Sequence, residues 1–230
     1  MGIEKPDKAL LAYLSDYITD HKKAKMEEVL ALRSRYFTVV LEDIYKPHNA
    51  SAVIRTCDCF GIQDIHIIEK ATSYHINPYV TRGAAQWVDL HRYEDSAENP
   101  AVDACFDGLR EKGYKIYATS PHGKSIPISE LNPSEKIALV FGNEHAGVSD
   151  EVIEKSDGVV HIPMTGFTES FNISVSASIC LYDLKQKITK THPDIYYLSE
   201  EEKDLLRFQW YKGVVKNVDI HIKQFYADNP

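Results

Sequence analysis

The feature that most constrains the fold is an alternation between short apolar runs and stretches of helical periodicity. Tyr36 to Leu41, Asp64 to Glu69, Trp87 to Tyr93, Tyr114 to Thr119, Ile137 to Phe141 and Val159 to Ile162 read as strands. Runs such as TVVL and ALVF lack the polar alternation of a half-exposed strand and suit strands covered on both faces. Between them lie helix signals. Asn49 is placed to cap a helix that runs to Phe60 and stops at Gly61. Asn99-Pro100 opens a second helix, which reaches Glu111 and ends at Gly113. Lys46-Pro47-His48 reads as loop, because proline disfavours helix at the residue before it. The pattern predicts an α/β fold: a mostly parallel sheet with helices on both faces.

The flanks differ. Residues 7–34 carry a helical stripe of Leu10, Leu11, Leu14 and Ile18, resumed at Met26, Val29 and Leu30 after a break near Thr19 to Lys22. Beyond Pro193, Ser199 and Glu202 form a capping box for a final helix expected to run to about Phe225. The expected organisation is an N-terminal helical extension (1–35), a central α/β domain (36–190) and a C-terminal helical extension (191–230). Residues 71–86 read as irregular, with Asn77-Pro78 and Arg82-Gly83 as turn signals.

Several classes of protein are excluded or disfavoured. No apolar run approaches the ~18 residues of a membrane span, and the N-terminus lacks a secretory pattern. The four cysteines, Cys57, Cys59, Cys105 and Cys180, make no C-x-x-C pair. They read as buried thiols in a reducing cytoplasm, and no metal is expected. The turn LEDIYKPHNA carries neither a dinucleotide fingerprint nor a P-loop, and there is no G-x-S-x-G elbow. The net charge of −8 argues at first against a nucleic-acid partner. Its distribution weakens that argument. Residues 1–35 hold seven basic groups against six acidic, and residues 185–230 hold eight against seven, so the acidic excess lies in the middle of the chain. Lys22, Lys23, Lys25 and Arg33 at one end, and Lys185, Lys187 and Lys190 at the other, are the candidate phosphate contacts.

The chemistry concentrates between Phe141 and Leu184. A Gly-bearing loop (Gly142, Asn143, Glu144, Gly147) follows one apolar strand, and Pro163 to Asn172 follows the next. Polar loops in this position present backbone groups to a small ligand, here read as an adenosine-type cofactor. The alternative is that the glycines only permit turns. The first βαβ unit adds Asn49, Ser51 and Arg55, with Arg55 off the apolar face of its helix.

HNASAVIRTCDCFGI, LVFGNEHAGVSDEV and IPMTGFTESFNISVSASICLYDL resemble, in order and spacing, the three signature motifs of the SpoU, or TrmH, family of RNA ribose 2′-O-methyltransferases, within the SPOUT superfamily. The KPHN before the first motif and the LSEEEKDLLRFQWYK segment are similar to the type that methylates guanosine-18 in the tRNA D-loop. The resemblance implies a deep trefoil knot in the C-terminal part of the sheet, S-adenosylmethionine (SAM) as cofactor, tRNA as partner and a homodimer. It places Arg55, Asn49, Glu144, Ser170 and Asn172 at the catalytic positions. It places Thr119, Gly142, Asn143, Glu144, Gly147, Ile162, Met164, Phe171 and Asn172 around the cofactor. Where relatives often carry a basic residue and an aromatic in the second motif, this chain has His145 and Ala146. An rRNA ribose methyltransferase and a catalytically inactive RNA-binding homologue are the alternatives.

Methyl transfer to a ribose hydroxyl needs an in-line approach and stabilisation of a developing alkoxide, which a cation such as Arg55 supplies. Guanidinium stays protonated in proteins, so Arg55 reads as a phosphate anchor and alkoxide stabiliser rather than a base. Glu144 is placed to orient Arg55, while Asn49 and Asn172 are placed to bond ribose, each other or a helix end. The apolar density of helix 172–188 marks it as a dimer contact.

Overall fold

The computed structural model describes residues 7–71 and 77–229, so part of the irregular stretch expected at 71–86 lies outside the described residues. The chain divides into two compact units: Ser34–Tyr196, and the two terminal segments taken together, up to Arg33 and from Tyr197 onward.

The central unit is a seven-stranded parallel sheet. Its strands are β1 (Phe37–Glu42), β2 (Asp64–Glu69), β3 (Asp89–Glu94), β4 (Tyr114–Thr119), β5 (Ile126–Pro127), β6 (Lys136–Phe141) and β7 (Gly158–His161). Their spatial order is β3-β2-β1-β6-β4-β7-β5. Every residue of β1 is buried, so both of its faces are covered. The connecting helices are α3 (Pro47–Phe60), α4 (Pro78–Thr81), α5 (Ala101–Glu111), α6 (Asp150–Lys155), α7 (Ile173–Thr191) and α8 (Pro193–Tyr196). Val102, Cys105, Phe106 and Leu109 of α5 pack with Val40, Ile68, Ile116 and Val140 from four strands. Helix α3 packs along α7.

Local sequence explains most boundaries, and the exceptions have reasons. Helix α3 begins at Pro47, not at Asn49, with Lys46 as its N-cap. Proline is tolerated at the first helical position because that N–H has no partner within the helix. Asn49 therefore sits inside the first turn and is free to point elsewhere. Gly61 closes α3 in the left-handed region at φ 77°. Helix α5 starts one residue beyond Pro100, and the Asp95 carboxylate, not Asn99, accepts from the Ala101 N–H at 2.9 Å.

The chain order brings β1 and β6 together, with β2 and β3 leaving on one side and β4, β7 and β5 on the other. Loops from neighbouring strands diverge at such a reversal, which opens a crevice at their carboxyl ends.

In the terminal unit, α1 (Lys8–Ser15) and α2 (Asp20–Leu30) pack on α9 (Glu200–Val214), and α1 also packs on α10 (Val218–Asp228). The Ser199–Glu202 capping box is present. The single final helix expected from sequence is two, separated at Asn217, which is left-handed at φ 52°; asparagine is among the few residues that adopt this region readily. Arg33, one of the candidate phosphate contacts, is 1% exposed, with its guanidinium 5.4 Å from the Trp210 ring centroid. It is a structural residue rather than a surface cation. All four cysteines are free thiols, but Cys59 is exposed rather than buried, while burial pushes the Cys180 thiol up to about 12.

Candidate cofactor and acceptor site

The crevice at the strand reversal is a cavity of about 530 Å³. Its walls come from the carboxyl ends of four strands: Lys46 and Asn49 after β1, Thr119 to His122 after β4, Gly142 to Val148 after β6, and Ile162, Met164 and Glu169 to Asn172 after β7. All the residues expected around the cofactor line it, and so do Asn49, Glu144, Ser170 and Asn172.

The β6 loop folds back on itself, with Asn143 bridged to Gly147. A Cβ on Gly142 would stand 2.2 Å from the Gly147 carbonyl carbon and oxygen and from the Val148 nitrogen. Glycine is required there by close backbone approach, while Gly147 supplies a left-handed φ of 72°. Asn143 is committed to the loop. Its carboxamide oxygen accepts from the His145 N–H at 2.9 Å, and its nitrogen donates to the Asp43 carbonyl at 3.0 Å. Thr119 likewise donates its hydroxyl to the Val140 carbonyl at 2.8 Å. Both shape the wall.

Asn49 Nδ2 donates to Glu144 Oε1 at 2.6 Å, tying the first turn of α3 to the β6 loop. The expected Glu144–Arg55 pairing is absent among the described residues, and Asn49 takes the carboxylate instead. The other oxygen, Glu144 Oε2, is buried with no partner. An unsatisfied buried carboxylate oxygen beside a cavity is an acceptor awaiting a donor. Asn172 caps α7, its oxygen accepting from the Ser174 N–H at 2.9 Å and from the Ser174 hydroxyl at 2.8 Å. Ser170 is exposed at the cavity rim.

Arg55 is elsewhere. It lines a second cavity of about 540 Å³ with His48, Tyr79, Arg82, Ser174 and Ser178. Helix α7 stands between the two, with Ile173, Ser176 and Cys180 on one flank and Ser174 and Ser178 on the other. Sequence reasoning missed Arg82, which it read only as a turn signal. His122 and His161 also line the first cavity; their position at or just beyond the carboxyl ends of β4 and β7 was the available signal.

The lysine candidates separate by their partners. Lys185 is half-buried and donates to the Phe60 carbonyl at 2.9 Å, and burial lowers its pKa. Lys187 donates to the Ile128 and Leu131 carbonyls at 2.9 and 3.2 Å and pairs with Asp183 at 2.6 Å. Both hold the fold together. Lys23 pairs with Asp20 and Lys25 with Glu28 on the helix surface, whereas Lys22 and Lys190 are exposed. Among the described residues no group of three or more acids, histidines and cysteines is arranged to hold a metal ion. No helix of the described residues is long and apolar enough to cross a membrane.

An all-parallel sheet with a loop-built cavity at its strand reversal, lined by an unsatisfied carboxylate and amides, is the architecture of α/β proteins that hold a small cofactor. Comparison with known proteins narrows this further. The chain belongs to the SpoU rRNA Methylase family, whose model matches residues 36–182. It is 45% identical to a tRNA (guanosine(18)-2'-O)-methyltransferase of Borreliella burgdorferi, over 90% of this chain and 92% of that protein. It is 33% identical to the protein of the same description from Thermus thermophilus, over 75% of this chain and 86% of that one. Among solved structures it is similar to the A. aeolicus TrmH/SpoU tRNA modifying enzyme, with a TM-score of 0.74, 29% identity, and coverage of 86% of this chain and 98% of that one.

Proposed function

We propose that the chain is a SAM-dependent tRNA ribose 2′-O-methyltransferase acting on guanosine-18 of the D-loop. One observation carries this. The residues that build the four-loop cavity belong to a chain nearly half identical, over almost its whole length, to a protein described by that activity.

The cavity suits SAM. Gly142 opens a cradle that any side chain would fill, Ile162, Met164 and Phe171 offer apolar surface, and Glu144 Oε2 is an acceptor without a donor. Thr119, Gly142, Asn143, Glu144, Gly147, Ile162, Met164, Phe171 and Asn172 would hold the cofactor, which supplies a methyl group activated by its sulfonium. In this reading Asn49 fixes the Glu144 carboxylate, and Ser170 and Asn172 border the path to the acceptor. Arg55 anchors an RNA phosphate and stabilises the developing alkoxide, since guanidinium cannot serve as the base.

A homodimer belongs to the same reading. Arg55 and the cofactor cavity lie on opposite flanks of α7, so a second copy would complete the site. Val175 and Tyr182 on α7, exposed at 42 and 58%, present an apolar strip that supports such a contact. A trefoil knot is also part of it. The chain leaving β6 passes β4 to place β7 between β4 and β5, an order compatible with threading. A tRNA substrate implies the cytoplasm.

The test is incubation of the purified chain with labelled SAM and, separately, tRNA and rRNA, followed by mapping of the modified nucleotide. The expected result is a 2′-O-methyl group on guanosine-18. Label appearing in rRNA alone would give the reading to the rRNA alternative, and no label in either would leave an inactive RNA-binding homologue.

A further inference from the structure

The Arg55 cavity holds a feature that the methyl-transfer reading does not use. Arg82 lines it with Arg55, and neither guanidinium makes an ion pair or side-chain hydrogen bond among the described residues. No aspartate or glutamate lines this cavity, although the chain carries −8 overall. By contrast, the cofactor cavity has Glu144 and Glu169 against Lys46. The other polar groups in its lining, among them His48, Thr56, Ser174 and Ser178, add no negative charge, and the Ser174 and Ser178 hydroxyls donate within α7 to Asn172 and to the Ser174 carbonyl. Tyr79 stands at the rim, 90% exposed.

Two exposed guanidinium groups line one concave surface with no carboxylate beside them, which favours an anion there. Arginine binds phosphate bidentately through its planar fork. A single small anion would need only one such fork. Two forks and an exposed aromatic ring fit a strand with successive phosphates and a base to stack. Arg82 is held at this place by a left-handed backbone, φ 47°, between α4 and Gly83. That conformation is the helix C-cap of α4, the Arg82 N–H donating to the Pro78 carbonyl.

We propose that Arg82 is a substrate-binding residue: with Arg55 it clamps consecutive phosphates of the RNA backbone in this cavity, and Tyr79 stacks on an adjacent base. This rests on the chain being an RNA methyltransferase and adds to it the seat of the acceptor strand.

The test uses Arg82→Gly, which keeps the left-handed backbone without strain, and Arg82→Asn as a second variant that also tolerates it. Binding of an unmodified tRNA transcript is measured across a salt series, alongside SAM titration and thermal melting. Arg82→Gly is expected to weaken tRNA binding about tenfold at fixed salt, as for loss of one charge-assisted contact. It should also flatten the slope of log affinity against log salt by roughly 0.7–0.9. SAM affinity and the melting midpoint should stay as in the parent, and the single-turnover rate at saturating tRNA should fall less than threefold. Tyr79→Ala should weaken binding with no change in slope. Wild-type affinity and slope in both Arg82 variants would overturn the proposal, as would lost affinity with an unchanged slope. If the parent methylates no RNA yet Arg82→Gly still loses tRNA binding and slope, the clamp stands and the methyltransferase reading falls. If the parent methylates tRNA and the variants bind normally, the clamp alone falls.

Discussion

At the scale of single residues, the site divides labour between groups that build walls and groups left with unmet bonding capacity. Gly142 is the first kind. With a Cβ 2.2 Å from backbone atoms of Gly147 and Val148, Gly142→Ala must displace the loop. Overpacking of this sort typically costs about 1–3 kcal/mol. Calorimetry on Gly142→Ala should show SAM binding lost or weakened at least tenfold, with a lowered melting midpoint. Arg55 is the second kind. It is exposed, so its removal should change stability by no more than about 0.5 kcal/mol. Both Arg55→Ala and Arg55→Lys should slow single-turnover methyl transfer by at least ~10², since lysine keeps the charge but loses the planar fork. SAM affinity should change less than a few-fold, because Arg55 lines the other cavity. Near-normal chemistry in Arg55→Ala would remove it from the mechanism. The sequence expectation joined Arg55, Asn49 and Glu144 in one site, whereas the structure brings only Asn49 and Glu144 together and places Arg55 in the other cavity. Pairing Glu144 with the arginine was the obvious electrostatic choice, yet Pro47 starts α3 early enough to put Asn49 on that carboxylate instead.

At the scale of elements, the β2–β3 edge contains a buried polar cluster that is expected to make the fold acid-sensitive. His66 is buried, its ring 4.7 Å from that of His91 and its Nδ1 3.0 Å from the Tyr93 hydroxyl. Burial, reinforced by the charge of His91, pushes its pKa down from 6.5 to about 3. Asp64 beneath it bonds His91 at 2.7 Å and Arg35 at 2.9 Å. Burial works to raise the Asp64 carboxyl, but those partners hold it below its ordinary value. Between about pH 6.5 and 3 the unfolded chain binds a proton at His66 that the folded chain refuses, so stability rises with pH across that window. The slope from one such group approaches ~1.4 kcal/mol per pH unit. Asp64 acts in the same direction but only below the ordinary carboxylate range. Denaturant melts at pH 6.5 and 4.5 should show this loss, and His66→Gln should reduce it. An identical pH dependence in His66→Gln would refute the assignment. The lysines proposed as phosphate contacts carry the same lesson about elements. Lys185→Met and Lys187→Met should lower stability and leave the salt slope of tRNA binding unchanged, because both ammonium groups are spent on backbone carbonyls. Lys22→Gln and Lys190→Gln should flatten that slope without lowering stability.

For the whole molecule, assembly is the open quantity, and the apolar stripe on α7 is where it can be tested. Val175→Glu with Tyr182→Glu should convert a dimer to monomers by sedimentation at micromolar concentration, with methyl transfer lost and each monomer still folded. Wild-type sedimentation in the double variant would place the dimer contact elsewhere. The sequence by itself determined the strand–helix alternation, the parallel sheet, the capping box and the loops that carry the site, because these depend on periodicity and on residues within one turn of each other. The residues expected around the cofactor line one cavity, because they lie at, or in the loops that follow, the carboxyl ends of β4, β6 and β7. Only the tertiary structure decided which cations are free. Arg33, Lys185 and Lys187 look like their exposed neighbours in a charge count, and their burial comes from elements far away in the chain. The same holds for the separation of Arg55 from the cofactor cavity and for its company with Arg82. Which flank of α7 a residue reaches depends on how α3, α4 and α7 pack, and that is a property of contacts between elements that no local pattern encodes.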